Sequence, residues 1–127
     1  MSCVFCELPE NRIIEKSSLS KVFRDAFPVT PLHTLIIPIR HVSDYFDLSQ
    51  EEKADIENLL VKQKKHIMEL DENVCGFNVG INIGETAGQT VFHAHVHLIP
   101  RRKGDVNEPR GGVRGVIPDK QTYNISD

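Results

Sequence analysis

Apolar and polar positions alternate along several stretches of this chain, and once they follow a longer period. Between residues 12 and 24, Arg12 to Glu15 and Lys21 to Arg24 read as two short strands joined at Ser17-Ser18. The segment FPVTP, residues 27–31, holds two prolines and reads as a loop into the apolar strand His33 to Pro38. Residues 47–72 follow the helical period, with Ile56, Leu59, Leu60, Ile67 and Leu70 as the apolar stripe and Ser49/Glu52 as a capping box. Lys53, Lys62, Lys64 and Lys65 fall on the solvated side. A further strand is predicted over Gly76 to Ile83, with Cys75 beside it as a core thiol, then a small-residue loop, Gly84 to Gly88. Its backbone N–H groups could approach an anion.

The stretch from Gln89 to Arg101, QTVFHAHVHLIPR, has strict period two. Successive side chains of a strand point to opposite faces, so His93, His95 and His97 share one face and Val96 and Leu98 the other. At a rise of ~3.3 Å per residue, His93 and His97 stand roughly 13 Å apart, too far for all three imidazoles to meet one metal. The three must divide their labour. After Pro100 no period persists, and the tail, with its four glycines and basic residues at 101, 102, 103, 110 and 114, reads as irregular.

Composition changes this picture little. A chain of 127 residues makes one domain, and a net charge of -3 supplies no broad field for DNA or RNA, so any phosphate binding is local. No apolar run could span a membrane, and the opening MSCVFCELPE lacks an export signal, so a cytoplasmic protein is expected. Cysteine usage adds more. Cys3 and Cys6 form a CxxC that a reducing compartment keeps as thiols; the proline and polar residues that follow disfavour the helix a redox motif needs. A tetrahedral zinc site takes two more ligands from the histidines, and Cys3, Cys6, His41 and His93 would close it as a structural metal. His95 is then free to act as a nucleophile on phosphorus, with His97, His33, the Gln89 amide and the Thr90 hydroxyl as donors to the phosphoryl oxygens. The competing reading is an open zinc site on a His-x-His pair with a metal-bound water as nucleophile.

H-A-H-V-H-L-I at 93–99 resembles the His-Φ-His-Φ-His-Φ-Φ signature, Φ being apolar, of the histidine triad superfamily of nucleotide hydrolases and transferases. G-Q-T-V-F before it, P-L-H-T-L-I-I-P-I-R-H at 31–41 and the amino-terminal CxxC are similar to bacterial members. The resemblance implies an α+β domain over residues 1–104, a five-stranded antiparallel sheet with one long helix and a short amino-terminal helix, followed by an irregular tail over 105–127. It implies a homodimer whose sheets join across the two-fold axis. It further implies His95 as the nucleophile that takes up a nucleoside monophosphate such as AMP or GMP, and His97 at the phosphate. His33 would be the earlier active-site histidine, and Gln89, Thr90 and Asn82 would line the same pocket. Asp25 would hold the ribose hydroxyls and Phe23 would stand in the base pocket, with Cys3, Cys6, His41 and His93 on zinc. The expected activity is cleavage at the α-phosphorus of dinucleoside polyphosphates or nucleoside phosphoramidates; the alternative is a zinc-stabilised nucleotide-binding module without catalysis. Two departures stand out. Leu32 occupies a position where the family often has glycine, and the tail lacks tryptophan and differs from that of the Hint branch. PRRKGD looks more like the Fhit and bacterial diadenosine polyphosphate hydrolase groups.

Overall fold

A computed structural model describes residues 2–124; Met1 and the last three residues of the expected tail lie outside the described residues. The elements are β1 (Ile13–Lys16), β2 (Ser20–Arg24), β3 (Thr34–Pro38), α1 (Gln50–Leu70), β4 (Gly76–Gly80) and β5 (Val96–Arg101). All five strands pair antiparallel in the order β1-β2-β3-β5-β4. One helix lies on one face. The amino-terminal helix is a single turn closed by the Glu7 N–H on the Cys3 carbonyl, followed by a 3-10 turn at Glu10–Arg12.

Register explains how the sheet separates its faces. Ile36 stands opposite Val96, and Thr34 opposite Leu98, so these side chains turn together toward α1. Val22, Ile36 and Val96 pack there with Ile56 and Leu59 of the helix, while Leu98 meets Ile67 and Val74. Leu35 stands opposite His97 on the other face, where Leu35, Ile37 and Phe23 form a second cluster under Phe5 and Leu8. The histidines therefore face away from the helix.

Five local expectations are corrected. The helix begins at Gln50 rather than residue 47, because Ser49 caps it: its hydroxyl accepts from the Glu52 N–H at 3.0 Å and the Glu52 carboxylate accepts from the Ser49 N–H at 2.8 Å. Leu70 ends the helix exposed, outside the apolar stripe, and Cys75 is exposed rather than a core thiol. Regular strand pairing covers β4 only to Gly80, opposite His97. The histidine strand begins at Val96, because residues before it leave the sheet: the Ala94 N–H bonds the Val42 carbonyl at 2.7 Å and the His93 ring bonds the Pro38 carbonyl at 2.8 Å.

Leu32 adopts φ 72, the left-handed region in which glycine is at ease. The conformation costs a side chain about 1–2 kcal/mol. Packing of Leu32 against the Ile67, Val74 and Leu98 cluster offsets that strain, so this position keeps the turn and adds a side chain to the core.

Candidate functional site

Two clusters of imidazoles occupy the sheet face opposite α1. In the first, Cys3, Cys6, His41 and His93 bring their sulfur and Nδ1 atoms within 4.8 Å of one another. The distances are 3.6 Å for Cys3 Sγ to His93 Nδ1, 3.5 Å for Cys6 Sγ to His93 Nδ1, 3.3 Å for Cys6 Sγ to His41 Nδ1, and 3.2 Å between the two Nδ1 atoms. A tetrahedron with metal–nitrogen bonds of about 2.0 Å and metal–sulfur bonds of about 2.3 Å has N···N edges of about 3.3 Å and N···S edges of about 3.5 Å. These edges match. Protonation fits as well: the Pro38 carbonyl can only accept, so His93 carries its proton on Nε2 and presents the Nδ1 lone pair to the cluster.

In the second cluster, the His33 Nε2 lies 2.9 Å from the His97 Nδ1 and 3.5 Å from the Asp25 Oδ2. These three groups are also close enough to surround an ion. The hydrogen bonds exclude that use. The Val29 N–H donates to the His33 Nδ1 at 3.1 Å, so neutral His33 holds its proton on Nε2 and has no lone pair there for a metal. That proton goes to the His97 Nδ1, which leaves the His97 proton on Nε2. The His97 Nε2 is buried and has no partner among the described residues. Both rings are held neutral: burial lowers the His97 pKa to about 4, with the neighbouring His95 and His33 adding to the shift, and burial lowers that of His33 against the pull of Asp25.

His95 stands between the clusters. Its ring centroid is 5.1 Å from that of His97 and 5.0 Å from that of Phe5. The His95 Nδ1 donates to the His93 carbonyl at 2.8 Å, so the Nε2 lone pair is the unprotonated one.

The remaining expected residues divide. Asp25 is half-buried, with Oδ1 accepting from the Phe27 N–H at 2.8 Å. Asn82 lines the same cleft as His33 and His97. Thr90 is exposed. Gln89 is buried and committed: Oε1 accepts from the Gly84 N–H, and the amide nitrogen donates to the Ser43 and Val91 carbonyls. With both amide hydrogens used, it organises the Gly84–Gly88 loop and holds no spare donor for a phosphate in this arrangement. Phe23 is buried at 1% exposure beneath Phe5, edge to face at 5.2 Å, so the aromatic surface beside His95 belongs to Phe5. Sequence reading missed Phe5 and the Val29 N–H. The position of Phe5 between the two cysteines was the available signal; nothing marks a backbone donor in a proline-flanked loop.

Residues 7–104 match the model of the HIT domain. A Zn-bound histidine triad family protein from Mycobacterium smegmatis superposes with a TM-score of 0.76 at 35% identity, covering 85% of this chain and 81% of that one. An uncharacterised HIT-like protein of Mycoplasma genitalium is 36% identical over 104 residues, 79% of this chain and 73% of the relative. The bis(5'-nucleosyl)-tetraphosphatase (asymmetrical) of Schizosaccharomyces pombe is 37% identical over 98 residues, 77% of this chain and 53% of that enzyme. An antiparallel five-stranded sheet carrying a histidine triad opposite one long helix defines the class. The chain belongs to the histidine triad superfamily.

Proposed function

We propose that this protein is a nucleotide hydrolase or transferase that cleaves at the α-phosphorus of dinucleoside polyphosphates or nucleoside phosphoramidates through a nucleotidyl-His95 intermediate. The observation that carries this reading is the His95 Nδ1–H donated to the His93 carbonyl, which leaves the Nε2 lone pair free to act as the nucleophile. The kinship with a bis(5'-nucleosyl)-tetraphosphatase supports the substrate class.

The steps follow from the protonation states. The His95 Nε2 attacks the α-phosphorus; an N–P bond forms and the bond to the leaving group breaks, a nucleoside polyphosphate departing as its anion or an amine departing with a proton taken from water. The His97 Nε2–H donates to a phosphoryl oxygen as charge develops there. Water then attacks the same phosphorus, the N–P bond breaks, one water proton is released, and a nucleoside monophosphate such as AMP or GMP departs from neutral His95. Asp25 would hold the ribose, with Asn82 and Thr90 beside the phosphates. Gln89 would position their loop, and Phe23 would back the base pocket behind Phe5.

The donor set fits zinc as a structural metal on Cys3, Cys6, His41 and His93; its chemistry is to tie the amino terminus to the start of the triad, closed to substrate. We assign the catalytic domain to residues 1–104, with the tail over 105–127 as part of the same unit. A cytoplasmic homodimer whose sheets join across a two-fold axis is the expected assembly. No helix among the described residues is long and apolar enough to cross a membrane.

The deciding experiment is intact-protein mass after rapid acid-free quenching with excess diadenosine tetraphosphate. Wild type should gain one AMP, and His95→Ala should gain none. Absence of both adduct and AMP release across dinucleotides and phosphoramidates would favour the non-catalytic binding module.

A further inference from the structure

The turn that carries Cys3 and Cys6 is fastened to the sheet by side chains alone. Residues 3–7 make one helical turn, closed by the Glu7 N–H on the Cys3 carbonyl at 3.0 Å. Among the described residues, no hydrogen bond from the backbone of residues 2–8 reaches any strand. Two contacts hold the turn in place. Its sulfurs meet His41 and His93 at 3.3–3.6 Å, and Phe5 and Leu8 pack on Phe23, Leu35 and Ile37.

The sulfurs are also placed for each other. The two Sγ atoms lie within 4.8 Å, and residues three apart in a helical turn have Cα atoms about 5 Å apart, inside the window of about 4.4–6.8 Å that a disulfide accepts. Cys6 is exposed and Cys3 half-buried, so an oxidant in solvent meets Cys6 first and finds a second thiol at hand to complete the reaction. A disulfide and a metal would compete for the same atoms. Once an S–S bond forms, only the imidazoles of His41 and His93 remain, half of a tetrahedral set. Of the two links from this site to His95, one survives that change: the His93 ring keeps its bond to the Pro38 carbonyl, so the His93 carbonyl stays in place for the His95 Nδ1–H. The other link is Phe5. Its ring centroid is 5.0 Å from that of His95, and it sits between the two cysteines in the turn that the new bond would tighten.

We propose that Cys3 and Cys6 are an oxidative modification site, at which a hydroperoxide converts the zinc-binding dithiol to a disulfide, frees the metal and draws Phe5 away from His95. The Cys6 thiolate attacks one peroxide oxygen; an S–O bond forms, the O–O bond breaks and hydroxide or an alkoxide leaves, giving a sulfenic acid. The Cys3 thiolate then attacks the Cys6 sulfur; the S–S bond forms, the S–O bond breaks and hydroxide departs. Two electrons pass from the sulfurs to the peroxide, and a dithiol reductant returns them. This chemistry stands whether or not His95 transfers a nucleotide.

The test uses the full chain loaded with zinc and treated with hydrogen peroxide at neutral pH, reading peptide mass and zinc release to a colorimetric chelator. Trypsin cuts first after Arg12, so residues 1–12 hold Cys3 and Cys6 in one peptide and leave Cys75 in another. That peptide should lose two hydrogens, one zinc should leave per disulfide formed, and dithiothreitol with added zinc should restore both. In Cys6→Ser, with Cys6→Ala as the second variant if folding suffers, the peptide should lose none. The His95 Cε1–H resonance should move on oxidation and return on reduction. Its move should exceed that in reduced protein stripped by a chelator, where the thiols still meet His41 and His93. Thiols that persist with zinc retained, oxygen added to either cysteine without an S–S bond, or a disulfide formed with zinc still bound would each overturn the exchange. A chain that takes up no zinc overturns it as well, and equal resonance shifts in the oxidised and the stripped protein overturn the role given to Phe5.

Discussion

The His33 Nε2 lies 2.9 Å from the His97 Nδ1, and the Val29 N–H fixes which of the two nitrogens holds the proton. A backbone amide thereby sets the tautomer of two side chains in series, ending at the buried His97 Nε2, which has no partner among the described residues. His33→Ala should leave the His97 tautomer unset. We expect kcat to fall about a hundredfold, with AMP affinity changing far less. Steady-state kinetics and titration calorimetry separate the two, and equal losses in kcat and affinity would count against a relay.

The same pair makes stability depend on pH. Burial holds both imidazoles neutral in the folded protein, with the His97 pKa lowered to about 4. An unfolded histidine titrates near 6.5, at about the usual value. The folded state thus binds fewer protons between those values, so its stability is full above about pH 6.5 and is lost as pH falls toward about 4. Urea midpoints at pH 7 and pH 5 should show the decline. His97→Asn should flatten it.

Metal removal should act through the amino terminus. Zinc on Cys3, Cys6, His41 and His93 would join segments up to 90 residues apart in sequence. We expect about one zinc per chain by elemental analysis, a lower Tm after chelation, and restoration on adding zinc back. Cys6→Ser should retain less metal. A Tm insensitive to chelator in zinc-loaded protein would sink the structural role.

Phe5 connects that site to the proposed nucleophile, its ring centroid 5.0 Å from His95 and 5.2 Å from Phe23. Phe5→Ala should therefore cost about tenfold in kcat through a displaced imidazole, and Phe5→Leu should recover part of the loss by filling the space. Proton spectra supply an independent readout, because removing the ring should shift the His95 Cε1–H resonance.

At the start of α1, Ser49→Ala deletes the hydroxyl that accepts from the Glu52 N–H. Denaturant unfolding should show a loss of about 1 kcal/mol. Activity at saturating substrate should be unchanged, because Ser49 touches neither cluster.

Several features were legible in residue order because they depend on short-range geometry. Period two assigns Val96 and Leu98 to one side and His97 to the other, and the observed register agrees. Ser49 and Glu52, three residues apart, can meet only across the first turn of a helix, and they do. The CxxC places two sulfurs near one point by local chain reversal alone, and the fold brings them to His41 and His93.

Tertiary structure decided what no local period carries. Gln89 looked like a donor to phosphate, yet its amide is consumed by Ser43, far away in sequence, and by Val91. Phe23 looked like pocket lining, but the amino-terminal turn lays Phe5 across it. The histidine run read as one strand from end to end, whereas bonds to Val42 and Pro38 draw its first half out of the sheet. The tail, without any period, becomes a cleft wall through arginine and glutamine bonds to backbone carbonyls. Alternation and capping are properties of neighbouring residues, so order alone determines them. A tautomer, a saturated amide or a cleft depends on which distant group completes the hydrogen bond, and only the folded chain supplies that group.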